Sequence, residues 1–326
     1  RNIREGAHYT QFMVYDFDGD GRSELICKTA DGTTDAAGNV IGDPNVYHGN
    51  EAGYILKGPE YLTVFDGLTG RALDTTKYIP SRSPDVDTEA PTSDQMKATW
   101  GDGYGNRGDR FLAAVAYLDG VHPSVVMCRG YYTRTFLVAY DFRDGKLTHR
   151  WTFDSNSSEE NKKFAGQGNH GLSVNDVDGD GKDEIIYGGM TVNADGTGRY
   201  TTRLGHGDAM HVSDLDPTRP GLEVYRIQER FNDAGAHLFD ANTGEILWKR
   251  PSVAKATTGN DKNEGPGRGL AADIDPRYPG AECWSFGAGI SGMVNIKGEK
   301  ISDKNPPSCN FAIWWDGDEL RELLDK

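Results

Sequence analysis

Two nine-residue stretches place acidic side chains at the spacing of a cation-binding loop. DFDGDGRSE runs from Asp16 to Glu24, and DVDGDGKDE runs from Asp176 to Glu184. Alternate aspartates on an extended turn can point toward one centre, and the glycines permit the tight backbone. These hard oxygen donors, completed by a carbonyl oxygen and the final glutamate, are typical of Ca²⁺ sites. We call these stretches aspartate loops.

The aspartate loop recurs in altered form, and each copy supplies candidate ligands. Residues 214–223 read DLDPTRPGLE and residues 273–282 read DIDPRYPGAE, where a proline stiffens the turn and aspartates could cap backbone amides without a metal. Since an enzyme needs one active centre, the repetition favours a structural role, and metal-free polar turns remain the alternative. The predicted ligands are Asp16, Asp18, Asp20, Arg22 (by its carbonyl) and Glu24; Asp176, Asp178, Asp180, Lys182 (by its carbonyl) and Glu184; Asp214, Asp216 and Glu223; and Asp273, Asp275 and Glu282.

A second set of residues does not repeat, which makes it the better candidate for chemistry. His170 lies in GQGNHG, His206 and Asp208 lie in LGHGDAMH, and Glu229 lies in RIQER. His206 and Asp208 are two residues apart, so on a strand they share a face. Two imidazoles and two carboxylates could hold a divalent ion with open positions, and ligand softness alone favours zinc or manganese over calcium. The alternative is that the histidines cap turns.

The elements that carry these residues form a repeat of β-type segments. Each loop position, including the degenerate YLDGVHPSVV, precedes a β-type run: LICKTA, VVMCRG, EIIYGG, EVYRIQ or ECWSFG. A hairpin signal follows in LTVFDGLTGRAL, LVAYDFRDGKLT, AHLFDANTGEIL and AIWWDGDELREL, and more weakly in TVNADGTG. The pattern predicts an all-β chain of about five units, each of four short antiparallel strands, as in β-propeller blades.

Composition limits the partners. The chain of 326 residues has 35 Lys plus Arg against 50 Asp plus Glu, a formal charge of −15. This charge opposes binding to nucleic acid, and it would repel a polyanionic polysaccharide unless cations offset it. The apolar runs are too short for a membrane span. The four cysteines have no CxxC spacing and are predicted to be buried thiols, with a disulfide left open.

The chain resembles the polysaccharide lyase family 11 rhamnogalacturonan lyases. The stretches that carry the resemblance are DFDGDGRSELICKTADGT, GYILKGPEYLTVFDGLTG, RGYYTRT, GQGNHGLSVNDVDGDGKDEIIYG, LGHGDAMHVSDLDPTRPGLEV, GRGLAADIDPRYPGAE and NFAIWWDGDELRELLD. The resemblance implies an eight-bladed β-propeller with several Ca²⁺ ions, of which this chain covers about five blades. Residues 1–326 would then be part of a single catalytic domain, with blades missing on both sides.

The resemblance also implies roles for individual residues. His170, His206, Asp208 and Glu229 would hold a calcium ion in the cleft, in place of the zinc or manganese that ligand softness favours. Arg268, in GRGLAADIDP, would be the catalytic arginine of the cleft. Lys28 and Asp31, in KTADGT, are weaker candidates for substrate contact.

The implied activity is β-elimination on the rhamnose–galacturonate backbone of the pectin rhamnogalacturonan I, giving 4,5-unsaturated galacturonate ends. The expected partner is this polysaccharide, with no nucleic acid, membrane or protein partner, and the expected location is outside the cytoplasm, although no signal peptide is visible. The alternative is a calcium-stabilised adhesion or carbohydrate-binding propeller without catalysis. That alternative explains the loops but has no use for the histidines.

Overall fold

Antiparallel β-sheets dominate the computed structural model, which describes residues 2–4, 6, 8–253, 265–309, 311–318 and 320–324. Five four-stranded sheets follow one another along this described part of the chain. Their strands, sheet by sheet, are β1 (Phe12–Tyr15), β2 (Glu24–Ala30), β5 (Glu60–Asp66) and β6 (Ala72–Lys77); β7 (Phe111–Ala116), β8 (Ser124–Arg129), β9 (Phe136–Arg143) and β10 (Lys146–Asp154); β11 (Ser173–Asn175), β12 (Glu184–Ile186), β13 (Met190–Val192) and β14 (Gly198–Thr201); β15 (Met210–Ser213), β16 (Glu223–Ile227), β17 (Ala236–Asp240) and β18 (Ile246–Arg250); and β19 (Arg268–Ala272), β20 (Glu282–Phe286), β21 (Met293–Val294) and β22 (Lys300–Ser302).

Shorter elements lie between and after these sheets. They are the hairpin β3 (Thr33–Thr34) and β4 (Val40–Ile41), helix α1 (Ser93–Trp100), a 3₁₀ turn (Asn161–Phe164), and the terminal hairpin β23 (Phe311–Ile313) and β24 (Glu322–Leu324). In the described residues, no helix is long and apolar enough to cross a membrane.

The second strand of each sheet is among its most buried elements. All six residues of β8 and all five of β16 are buried, whereas most of β10 is exposed or half-buried. A strand buried on both faces needs a continuous run of apolar or paired side chains. This requirement explains why these strands were visible in the sequence: the five runs predicted to be β-type form β2, β8, β12, β16 and β20.

The sequence prediction of about five four-stranded units is confirmed, with three differences in detail. The hairpin β21–β22 lacks the Asp-to-Gly signal of the others, and α1 is too short to show periodicity. The third difference is a correction: AIWWDGDELREL is not another copy of the second hairpin. Its Trp315 N–H donates to Glu322 Oε2 at 2.8 Å, as Phe17 N–H does to Glu24 Oε2 at 2.9 Å. It is a further aspartate loop, with Trp314 in place of the first aspartate; Asn310, Glu319 and Asp325 of the NFAIWWDGDELRELLD stretch lie outside the described residues.

The chain divides into two compact units. Unit 1 comprises residues 1–166, 181–185 and 192–198, and unit 2 comprises residues 167–180, 186–191 and 199–326. The core of unit 1 packs residues such as Ile26, Leu62 and Val125, and one core of unit 2 packs residues such as Tyr225 and Leu238. A single propeller domain over residues 1–326 stays a prediction.

Unit 1 also contains a buried ion network. Glu60 accepts hydrogen bonds from Lys28 at 3.0 Å and from Arg129 at 2.7 Å, and it pairs with Arg82 at 3.0 Å. Asp109 accepts from Arg82 at 3.0 Å and from Arg129 at 3.3 Å. All five side chains are at most 5% exposed. Buried charges of this kind persist only when each one is paired.

The four cysteines, all within the described residues, form no disulfide: Cys27 is half-buried, and Cys128, Cys283 and Cys309 are buried. The prediction of buried thiols is therefore confirmed for three of the four, and the disulfide alternative is wrong in this structure. Burial in apolar strands raises the pKa of the Cys27 thiol to about 11.

Candidate metal centre and cleft

Four side chains of unit 2 converge on one point: His170, His206, Asp208 and Glu229. One ligand atom of each lies within 4.8 Å of the others. Asp208 Oδ1 lies 3.2 Å from His170 Nε2 and 3.8 Å from His206 Nε2, and Glu229 Oε2 lies 3.5 Å from His206 Nε2. These are the four residues that the sequence singled out because they do not repeat. We call them the histidine–carboxylate group.

The backbone explains why residues so distant in sequence meet. Asn169 and Gly207, which neighbour the two histidines, form an isolated parallel bridge. The Asn169 side chain also donates to the carbonyl oxygens of Asp208 and Ala209, at 3.3 and 3.1 Å. The segments that lead into β11 and β15 are therefore tied together, and the two imidazole ring centroids lie 5.1 Å apart.

Glycines allow the segments that carry Asp208, Glu229 and Arg268 to approach one another closely. A Cβ atom at Gly207 would lie 2.0 Å from the carbonyl oxygen of Ile227, on the strand that leads to Glu229. A Cβ atom at Gly267 would lie 2.8 Å from Asp208 Oδ2, and one at Gly269 would lie 2.5 Å from the Ile227 side chain. The GRG sequence around Arg268 is thus a steric requirement, because β19 comes too close to Asp208 and Ile227 for larger residues.

The donor set fits a bound cation. His206 Nδ1 lies 2.5 Å from the Gly168 carbonyl oxygen, which can only accept, so Nδ1 carries the proton of the neutral ring. Its Nε2 lone pair then faces the carboxylates of Asp208 and Glu229, an arrangement that a proton or cation must stabilise. Among the described residues, none donates a well-aligned hydrogen bond to the buried Oδ1 of Asp208. A divalent ion would satisfy all of these atoms at once.

Arg268 lies beside this group. It is the first residue of β19, its side chain is 64% exposed, and its Nη1 is 3.5 Å from Asp208 Oδ2. His211, the last residue of the LGHGDAMH stretch, lies outside the group. Its Nε2 is 3.0 Å from the carbonyl oxygen of Gly269. Burial lowers the pKa of His211, so the ring is neutral near pH 7 and donates this bond from Nε2.

An open cavity of about 620 Å³ connects these residues. Its polar and charged lining includes His170, Asp208 and Arg268, and its apolar lining includes Met210 and Phe311. Cavities of this size and composition are typical of small-molecule and oligosaccharide subsites. Sequence reasoning missed Phe311, because nothing in its spacing relates it to a residue 141 positions earlier.

The first aspartate loop gathers Asp16, Asp18 and Glu24 within 4.8 Å. Asp16 also accepts the backbone N–H groups of Gly19 at 2.8 Å and Gly21 at 2.9 Å, which fold the loop. Burial raises the pKa of Glu24, and the charges of Asp18 and Asp16 raise it further. A cation at this point would relieve that repulsion.

The second loop brings together Asp176, Asp178 and Glu184 in the same way. Asp20 and Asp180 are not members of these two groups. The carbonyl ligands predicted from Arg22 and Lys182 stay predictions. A third group, Asp316, Asp318 and Glu322, lies in the terminal hairpin. The DxD spacing before a glutamate was its only sequence signal, and the missing first aspartate concealed it.

In the proline-containing variants, basic side chains pair with carboxylates that were predicted as metal ligands. Lys297 Nζ lies 2.5 Å from Asp216 Oδ2, and Arg219 donates to Glu223 at 2.9 Å. Arg277 donates to Asp275 at 2.8 Å. These contacts favour polar turns without metal, so ion binding by Asp214, Asp216, Glu223, Asp273, Asp275 and Glu282 stays a prediction against this evidence.

Lys28 and Asp31 do not have the exposure that substrate contact needs. Lys28 is 4% exposed within the ion network, and Asp31 is 5% exposed. Asp31 accepts from the Asp43 backbone N–H at 2.9 Å and lies 2.7 Å from His48 Nε2. The hypothesis that both face substrate conflicts with this burial, because both charges are used inside unit 1.

Comparison with known proteins supplies the family. Residues 1–326 match the description "Rhamnogalacturonan lyase family 11, C-terminal domain". The chain belongs to rhamnogalacturonan lyase family 11. This family 11 chain is 60% identical over 331 residues to the rhamnogalacturonan exolyase YesX of Bacillus subtilis, covering all of this chain and 50% of that protein. It is 56% identical over 326 residues to the rhamnogalacturonan endolyase YesW of the same organism, covering all of this chain and 48% of that protein.

A solved structure extends the likeness to the fold. The crystal structure of the exotype lyase YesX matches with a TM-score of 0.90 and 58% identity, over 99% of this chain and 51% of that one. The family 11 chain therefore spans about half the length of the curated relatives that it matches.

Proposed function

We propose that the protein containing this chain is a rhamnogalacturonan lyase that cleaves the rhamnose–galacturonate backbone of pectin by β-elimination. Family membership and the lyase names of the relatives support the reaction class. The observation that carries the site is the position of Arg268 Nη1, 3.5 Å from Asp208 Oδ2, in the cavity beside the histidine–carboxylate group.

The reaction needs positive charge near the uronate. A base removes the C5 proton of galacturonate, the C4–O bond to rhamnose breaks, and the leaving oxygen takes a proton. The products are a 4,5-unsaturated galacturonate end and a rhamnose end. Negative charge develops at C5 and spreads into the carboxyl group, so neutralising that group lowers the barrier.

Arg268 is suited to neutralise the carboxylate. Its guanidinium can donate two parallel hydrogen bonds to a carboxylate. It resists deprotonation, which makes it a charge stabiliser and not the base. Asp208 holds the guanidinium at the cavity. The base must accept a proton near the working pH, which a histidine or a lysine does more easily than Arg268.

We propose calcium as the ion of the histidine–carboxylate group and of the aspartate loops. A divalent cation held by His170, His206, Asp208 and Glu229 would supply further charge for the uronate. The family resemblance supports calcium, whereas the two imidazole donors suit zinc or manganese equally well. Metal analysis of the purified protein distinguishes these ions.

The proposal extends to fold and location. Five consecutive four-stranded sheets suit successive blades of an eight-bladed propeller, with residues 1–326 as part of one catalytic domain. The substrate would be a pectic polysaccharide outside the cytoplasm, with no nucleic acid, membrane or protein partner.

The test follows the ultraviolet absorbance of unsaturated uronate when the full-length protein meets rhamnogalacturonan. We expect absorbance to rise, to stop with chelator and to return with added calcium. Arg268→Ala should lower kcat/KM about 100- to 1,000-fold, as loss of a charge-stabilising donor does in other enzymes. Arg71→Ala, at another exposed arginine, is the matched control. New reducing ends without absorbance would indicate a hydrolase, and binding without cleavage an adhesion or carbohydrate-binding protein; both would refute the proposal.

A further inference from the structure

Two chemically different sets of residues line the cavity beside the histidine–carboxylate group. Arg268 and Asp208 supply charge, and His170 supplies a polar ring. Met210 and Phe311 supply apolar surface. Ala209 and Cys309 also line the cavity, and neither of these carries a charge. A ligand that fills this space must therefore present an ionic group and an apolar group close together.

Phe311 is an unusual component of this apolar lining. It is the first residue of β23 and its side chain is 60% exposed, so it contributes little to a core. An exposed aromatic ring at the edge of a cavity can stack on the C–H face of a sugar. Met210 lies half-buried on β15 and packs against the core cluster that includes Val224 and Phe239.

We infer that Phe311, supported by Met210, is the specificity-determining wall that accepts the rhamnose residue next to the bound uronate. This inference rests on the proposed lyase function. Rhamnose is a 6-deoxy sugar, so it carries a methyl group at the ring position where galacturonate carries a carboxylate. The methyl group gains by leaving water, and a carboxylate against the same wall would lose its hydration without a partner.

The placement also selects against a chain made only of galacturonate. In such a chain, each residue flanking the reacting uronate brings another carboxylate. Arg268 serves one carboxylate, and the next would lie against Phe311 and Met210. Arg268 together with the apolar pair Phe311 and Met210 thus matches a polysaccharide of alternating neutral and acidic sugars, not a uniformly acidic one.

The experiment compares rhamnogalacturonan with polygalacturonate as substrates for the full-length protein. Because a stacking contact is made before and during the reaction, Phe311→Ala should raise KM for rhamnogalacturonan about tenfold with little change in kcat. Phe311→Leu keeps an apolar side chain and should retain much of the preference. Phe311→Lys should lose rhamnogalacturonan affinity while binding polygalacturonate more tightly.

Phe12→Ala is the matched control, since Phe12 is 64% exposed on β1 in the first sheet. It should leave both KM values unchanged. The inference is overturned if wild type cleaves rhamnogalacturonan while Phe311→Ala keeps its KM and preference, or if Phe12→Ala raises KM equally. If wild type produces no unsaturated uronate, the proposed function fails instead. Melting curves confirm that each variant is folded.

Discussion

At the scale of single residues, Asp208 links the two parts of the candidate site. Its Oδ1 faces His170 at 3.2 Å, and its Oδ2 faces Arg268 at 3.5 Å. One carboxylate therefore serves both the cation position and the guanidinium. A change that moves Asp208 should disturb both, which distinguishes it from a residue that serves only one.

Gly267 is where this can be tested without touching a ligand. A methyl group there would lie 2.8 Å from Asp208 Oδ2 and would push the carboxylate aside. Gly267→Ala should weaken cation binding at the histidine–carboxylate group about 10- to 100-fold, the usual effect of misplacing a ligand through its neighbour. Calorimetric titration of metal-free protein measures this loss.

Gly171→Ala provides the comparison, because a methyl group at Gly171 meets no atom within 4 Å. It should leave the titration unchanged. Equal affinities for wild type and Gly267→Ala would show that β19 does not constrain Asp208.

The sequence predicted the members of this site better than their contacts. His170, His206, Asp208 and Glu229 were found because they break a repeat, a signal that survives without coordinates. The burial of Lys28 was not predictable, because it depends on Glu60, Arg82 and Arg129 from three distant segments. Phe311 was missed for the same reason: only the fold brings it to the cavity that Arg268 also lines.

At the scale of elements, the closing glutamate gives the aspartate loop its shape. Glu24 accepts the N–H of Phe17, and Glu322 accepts the N–H of Trp315, seven residues earlier in both loops. Glu223 and Glu282 each accept two such bonds. This shared bond explains why the loop keeps its form when its aspartates are replaced by a proline turn or by Trp314.

Asp18→Asn tests the cation role of the first loop. Asp18 Oδ1 accepts the Asp20 N–H at 3.2 Å, a bond that an asparagine oxygen preserves while the charge is lost. The metal-free unfolding temperature should stay constant, but calcium should stabilise the variant less than wild type. When the free calcium concentration is a hundred times the Kd of the site, binding adds about 2.7 kcal/mol to the free energy of unfolding.

Asp43→Asn is the control for this change, since Asp43 Oδ1 accepts the Asn45 N–H at 2.8 Å in the same way but Asp43 belongs to none of the acidic groups. Calcium should stabilise it as much as wild type. Identical calcium responses for Asp18→Asn and wild type would argue against an ion in this loop.

Glu282 predicts a pH dependence for a proline-containing loop. Burial, with the charges of Asp273 and Asp275, raises its pKa to about 7 from an ordinary value of 4.5. The folded chain keeps a proton that the unfolded chain releases, so without metal the free energy of unfolding should fall as pH rises from 4.5 to 7. At about 1.4 kcal/mol per pH unit, the loss is at most about 3 kcal/mol.

Denaturant titrations in chelator across this window measure the slope. Glu282→Gln should flatten it. If calcium abolishes the slope in wild type, the loop binds the ion with Glu282 deprotonated, contrary to the pairing of Arg277 with Asp275 seen here. If chelator-treated wild type shows no slope that Glu282→Gln removes, the prediction is wrong.

At this scale the sequence was most informative about repeated elements. The runs that became β2, β8, β12, β16 and β20 follow a loop signal that recurs. The hairpin β21–β22 has no such signal. AIWWDGDELREL was misassigned because its hairpin pattern and its loop pattern overlap, and only the Trp315–Glu322 bond separates them.

At the scale of the whole molecule, the formal charge of −15 leads us to expect that bound cations raise stability. Repulsion among carboxylates opposes the compact state. Ions bound at specific sites offset this repulsion more effectively than diffuse salt does. We expect calcium to raise the unfolding temperature of the chain well above that in chelator. Sodium chloride at equal ionic strength should raise it less. Equal effects of the two salts would indicate screening and not specific sites.

The buried network of Lys28, Glu60, Arg82, Asp109 and Arg129 bears on how this sequence can change in evolution. Loss of one partner strands the others in an apolar core, at about 3–5 kcal/mol. That is a large part of the stability of a typical domain. Single replacements should therefore be eliminated by selection, while a basic residue and its acidic partner can be lost together. We therefore expect the five positions to be conserved or replaced together, while exposed positions of the same fold vary independently.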